Sequence, residues 1–243
     1  MPLEIIATTV ADAIAIEKAG ASRIELVTGP SDGGLTPTLA LLEVVKANVD
    51  LPIFVRLRPH AMSYVFDASD RDVILADALA LAKAGADGFV FGALTAQGGI
   101  DLEFLEAVLA KIKGRPLTFD RAIDQCQDLP WQVQRLSQYA QVQFIQSSSA
   151  ARSLHGPSLF HDLHKAARVA AAEKKRAPIQ LVSGTDLTLA TLPSFLLDHP
   201  VEWIRMGEAV RLNMSYRKPI DPELLQQIAG LIRKHEGEGS HDG

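Results

Sequence analysis

An α/β fold of the (β/α)8 class, a TIM barrel in a single domain, is what this sequence predicts, and three observations predict it. About eight short apolar or alternating runs take turns with about eight helix-like runs along 243 residues. No linker-like stretch separates them, and strands joined through single helices pair in parallel by right-handed crossovers. Eight such units in this length match the size of one closed barrel. A doubly wound open sheet is the alternative, since periodicity does not by itself show closure. An internal echo supports the repeat: Lys18-Ala19-Gly20-Ala21 leads into one strand, and Lys83-Ala84-Gly85-Ala86 into another about two βα units later.

In order, 3–7 is a short apolar strand, and 10–20 is a helix closed by Gly20. Arg23-Ile24-Glu25-Leu26-Val27 alternates charged and apolar residues, the period of a strand. Thr28-Gly29-Pro30-Ser31-Asp32-Gly33-Gly34 is turn chemistry. Thr36 as N-cap and Pro37 at the first helical position open a helix to 48. A strand, a glycine loop and a helix N-terminus in succession offer backbone N–H groups to an anion. Residues 51–58 form the third strand. A helix follows from Ser69-Asp70-Arg71-Asp72 to Ala84, then a strand at 88–92. Asp101 caps 102–113, 116–121 is a strand, and Asp128-Leu129-Pro130 opens a helix to 139. The strand 142–146, helix 158–174, strand 179–182, helix 187–197 and strand 203–206 come next. Asp221-Pro222-Glu223 caps the last helix, to about His235. The barrel domain thus spans 1–236, and 237–243 reads as a disordered polar tail.

A net charge of -5 and a pI near 5.8 supply no basic field for nucleic acid or an anionic membrane surface. No apolar run reaches the ~20 residues that span a bilayer. Cys126 is the only cysteine, so no intrachain disulfide forms and a reducing compartment is expected. With no basic leader at Met1-Pro2-Leu3, the expected location is the cytoplasm.

In barrels of this class chemistry sits on the loops after the strands. Side-chain parity turns Glu4, Glu25, Arg56, Arg58 and Asp120 inward, with Arg121 and Asp124 on the loop above. The rigid Arg56 and Arg58 forks are suited to holding a small anionic ligand, carboxylate or phosphate, with Arg121 beside them. A carboxylate next to Arg is ionised, so Glu25, Asp120 and Asp124 are the candidate catalytic groups. Ser183-Gly184-Thr185 after the seventh strand and Gly207 after the eighth lie where many barrels bind phosphate. The opposing reading is a structural ion network that plugs the barrel mouth.

Glu25-Leu26, Asp32-Gly33-Gly34-Leu35-Thr36-Pro37, Arg56-x-Arg58-Pro59 and Thr118-Phe119-Asp120-Arg121-Ala122-Ile123-Asp124 occur in this order, with Tyr216-Arg217 near the end. Together they resemble the CutC family. The resemblance implies a cytoplasmic TIM barrel linked to copper homeostasis, often oligomeric, so a homo-oligomer such as a dimer is expected. The chain departs from the family pattern at Asp120, where His is usual, and in lacking cysteines near the first two strands. Cu(I) prefers sulfur. Cys126, Met62, Met206 and Met214 form no ligand-spaced set, and His161-x-x-His164 reads as a solvated helix face. No residue is therefore assigned to a metal, and no cofactor is named. The alternative function is a barrel enzyme acting on a small anionic substrate, phosphorylated ones included.

Overall fold

The computed structural model describes residues 1–148, 156–184, 187–199 and 201–239. Eight parallel strands close on themselves: β1 Leu3–Ala7, β2 Arg23–Leu26, β3 Ile53–Arg56, β4 Gly88–Phe91, β5 Leu117–Phe119, β6 Val142–Gln146, β7 Gln180–Ser183 and β8 Trp203–Met206. Each strand pairs with the next, and β8 returns to β1 through Leu3↔Ile204 and Glu4↔Arg205. The open-sheet alternative is thereby excluded. Among the described residues eight α-helices surround the barrel: α1 Val10–Lys18, α2 Leu39–Lys46, α3 Ala68–Lys83, α4 Leu102–Ile112, α5 Leu129–Leu136, α6 Gly156–Lys174, α7 Leu192–Asp198 and α8 Pro222–Gly239.

Alternation along the strands divides the core in two. Ile5, Ile24, Leu26, Val55, Phe89, Phe119 and Ile204 join the large apolar cluster under the helices. Phe54, Val90, Phe144 and Val182, with Trp203 packed against them, form a separate small cluster inside the barrel. Much of the rest of the interior is polar, so the barrel is filled partly by charge.

Several boundaries move for local reasons. Helix α2 begins at Leu39 with Thr38 as its cap, not at Pro37 with Thr36. Thr36 is held by the segment just after β3 instead: its Oγ1 accepts from the Arg58 N–H (2.8 Å), and its own N–H donates to the Arg58 carbonyl. Helix α3 starts a residue early because Asp67 and Asp70 form a reciprocal capping box. β5 stops at Phe119 because Asp120 caps a 3-10 turn over Arg121–Gln125. Thr188 and Thr191 bond each other in a turn, so α7 starts at Leu192 rather than 187 and runs to Asp198, one residue past the expected end. Helix α8 runs to Gly239, into the segment read as tail, and 240–243 lie outside the described residues.

Candidate functional site

The barrel interior is built in layers. Lowest is Arg23, fully enclosed, with its guanidinium carbon 4.2, 4.1 and 3.9 Å from the ring centres of Phe54, Phe144 and Trp203. Its Nε donates to Glu4 Oε2 at 2.6 Å. Glu4 lies level with Arg23 on one side and Arg205 on the other, because the register pairs it with both.

Above it the two oxygens of Glu25 are fully engaged. Oε1 accepts from Arg56 Nε (3.0 Å) and Nη2 (2.7 Å), while Oε2 accepts from Arg205 Nε and from Gln146 Nε2 (3.2 Å). Arg56 Nη1 donates to Asp120 Oδ2 at 2.9 Å, and Gln146 bridges to Glu4 at 3.3 Å. Burial pushes the Glu25 carboxyl up, but the charges of Arg205 and Arg56 overcome it and hold the group at about 2. Burial alone would lower Arg56; Glu25 and Asp120 outweigh it and raise the guanidinium, while Arg205 repels it. Arg23, Arg56 and Arg205 are balanced by Glu4, Glu25 and Asp120, so this network carries no net charge.

Two glycines let the network form. A Cβ on Gly92 would lie 2.0 Å from Asp120 Oδ1, the oxygen that accepts from the Ala122 N–H. Gly34, at φ +85°, lets the β2 loop lie against Arg56 Cδ and Nε, where a Cβ would come within 3.1 Å.

Over this floor opens a cavity of about 580 Å³, lined by Arg56, Arg121 and Arg205, by Tyr64 and Tyr216, by Ser31, Gly33, Gly34, Gly184 and Gly207, and by apolar groups including Ile6, Val27 and Leu187. Glu208 is the one acidic side chain among the described lining residues. Arg205 is held only through Nε; its Nη1 and Nη2 donate to no partner among the described residues. Burial, then the Asp120 charge, pushes the Tyr64 phenol up to about 12, and burial likewise raises Tyr216. Both phenols are therefore hydrogen-bond donors at neutral pH.

The residues picked out from the sequence separate into three groups. Arg56, Arg121, Gly184 and Gly207 line the cavity, whereas Glu25 and Asp120 form its buried floor. Arg58 lies past the end of β3, where strand parity no longer fixes direction. It is buried, stacks on Tyr64 with its guanidinium carbon 4.4 Å from the ring centre, and donates to the Ala61 carbonyl. Asp124 accepts from Ser147 Oγ (2.7 Å), Ser148 N–H (3.0 Å) and Ser148 Oγ (2.9 Å), which ties the β5 loop to the end of β6. Ser183 donates to the Ser147 carbonyl at 2.9 Å, and Thr185 lies outside the described residues. Gly207 has a packing role as well: the Tyr216 hydroxyl sits 2.1 Å from where its Cβ would be.

The glycine loop after β2 is not the anion cradle its composition suggests. The N–H groups of Asp32, Gly33, Gly34 and Leu35 all bond carbonyls of the same loop, and the adjoining segment is pinned to the segment just after β3. Tyr64, Gln146, Arg205, Glu208 and Tyr216 were not selected from the sequence as site residues. Arg205 carried a usable signal, because Trp203 and Arg205 alternate with apolar Ile204 and Met206 as Arg56 does in β3.

Among the described residues no three His, Cys, Asp or Glu side chains converge as a metal site requires. Cys126 is buried, and burial raises its thiol away from the thiolate that binds Cu(I). His164 pairs with Glu202 at 2.8 Å on the outer layer, away from the mouth. No described helix is long and apolar enough to cross a membrane.

Fold and site together define a single-domain (β/α)8 barrel whose C-terminal mouth is floored by a neutral ion network and lined with arginine. The chain belongs to the CutC family: the family model, described as CutC family, matches residues 1–185. The CutC family protein of Serratia proteamaculans is 31% identical over 218 residues, 89% of this chain and 82% of that protein. The human copper homeostasis protein cutC homolog is 42% identical over 127 residues, 52% of this chain and 46% of its own length. The match to the human protein thus spans about half of that relative. The CutC crystal structure from Streptococcus agalactiae superposes with a TM-score of 0.75 at 22% identity, covering 85% of this chain and 98% of that one, which shows the shared fold.

Proposed function

We propose that this chain serves in copper homeostasis, the role carried in the human relative's name, and that its barrel mouth binds a small organic anion. The observation that carries the ligand reading is Arg205. Its Nε is fixed by Glu25, its terminal nitrogens are unpartnered among the described residues, and it borders the cavity beside Arg56 and Arg121. Pre-oriented, partly desolvated donors of this kind bind an anion without first being ordered. A role in proton transfer is less well supported, because Glu25 is ionised with both oxygens occupied and the two phenols are raised. Cytoplasmic location and a homo-oligomeric state belong to the same reading, on the lone cysteine and on family resemblance.

Thermal unfolding in a panel of small carboxylates, phosphates and sulfates tests it. At least one anion should raise the wild-type Tm in a concentration-dependent way, with its neutral amide or ester analogue silent. A Tm unmoved across the panel overturns the reading.

A further inference from the structure

We infer that the mouth is built for a carboxylate rather than a phosphate ester, seated end-on against the Arg205 guanidinium. This rests on the anion-binding reading above and names the class of ligand.

A guanidinium presents two edges that match a planar carboxylate. In Arg205 the Nε is taken by Glu25, with Glu4 behind it at 3.5 Å. The remaining Nη1–Nη2 edge offers two parallel N–H groups, the fork that fits one carboxylate in bidentate fashion. A phosphate ester needs donors around three oxygens, which proteins usually supply from backbone N–H nests and helix N-termini. Here the groups of the β2 loop are committed. Gly33 and Gly34 donate to Pro30 and Gly29, and Leu187 donates to Gly184 across the β7 loop.

Charge points the same way. The six-residue network beneath the cavity is neutral, and Glu208 on the rim opposes a second negative charge. Beside Arg205 a side crevice of about 10 Å³, shared with Arg121 and Ser183, has room for about one oxygen atom.

Benzoate and phenyl phosphate make a matched pair of probes, since they share a ring and differ in the anionic head. Dissociation constants for both are measured by ligand-observed NMR on the wild-type chain and on Arg205→Lys. Benzoate should bind the wild type about tenfold tighter than phenyl phosphate. Arg205→Lys should weaken benzoate by about tenfold and phenyl phosphate by less than about twofold, because lysine keeps the charge and loses the fork. Equal or tighter binding of phenyl phosphate, or benzoate binding that survives Arg205→Lys, overturns the carboxylate assignment and leaves an anion site standing. Failure of both probes on the wild type overturns the anion site along with it. If Arg205→Lys does not fold, the wild-type ratio of the two constants decides alone.

Discussion

The floor of the barrel and its mouth use the same chemistry to opposite ends. Arg23 and Arg205 both extend from strands into the interior, and both donate through Nε to a buried carboxylate. What differs is what the rest of the guanidinium meets. Three aromatic rings enclose Arg23 within about 4 Å, so its cation is sealed by π faces. Arg205 is 17% exposed and turns to a cavity. A buried ion pair is therefore not in itself a sign of function. The contrast lies in whether donors remain that water or a ligand can reach.

Removing the floor cation should have the largest effect. Arg23→Ala leaves Glu4 without its closest partner and empties the aromatic cage, and breaking a buried pair in this way costs about 3–5 kcal/mol. Urea denaturation measures it; a loss below about 1 kcal/mol would mean that the floor is as adaptable as the mouth.

Gly92→Ala sharpens the comparison from the β4 side. Its methyl would occupy the space of Asp120 Oδ1 and push that carboxylate from Arg56, with a stability loss of about 1–3 kcal/mol, as overpacking produces. The same variant should weaken anion binding, because Arg56 loses the carboxylate that aims it. A Gly92→Ala protein with wild-type stability and binding would show that the Asp120–Arg56 pair orients nothing.

Acid titration separates the two layers more gently. Glu25 is held at about 2 against an ordinary 4.5, so its folded-state pKa is depressed. The stability it contributes is complete above about 4.5 and is lost as pH falls towards 2. Glu25→Gln should flatten this acid limb of the stability curve relative to wild type. An unchanged slope between those values would remove Glu25 from the network's electrostatics.

The smallest effect is expected furthest from both layers. Cys126→Ser should leave Cu(I) retention against a chromogenic chelator unchanged, because a raised, buried thiol with no second cysteine is a poor soft ligand. Copper that resists the chelator in the wild type and is released in Cys126→Ser would return the metal to sulfur.

Much of the fold was legible in the sequence because it is local. The 2-residue and 3.6-residue periods, the caps at Asp101 and Asp128, and the glycine after α1 each follow from a few neighbouring residues. The inward parity of Glu25, Arg56 and Asp120 is local too, since each lies in or just at the end of a strand. Past the end of β3 the loop takes over the direction of the side chain, so Arg58 is placed by its stack on the cavity-lining Tyr64.

The sequence by itself determined the barrel class, the polar character of its C-terminal end, and the absence of a second cysteine. Only the tertiary structure decided which charges are neutralised and which face a cavity, because Glu25 meets Arg205 across 180 residues and Gln146 meets Glu4 across 142. It also turned the glycine loop from an anion cradle into a support for Arg56. Whether a backbone N–H is free depends on the carbonyl it meets, and whether a guanidinium is free depends on strands far away in the chain that closure brings alongside.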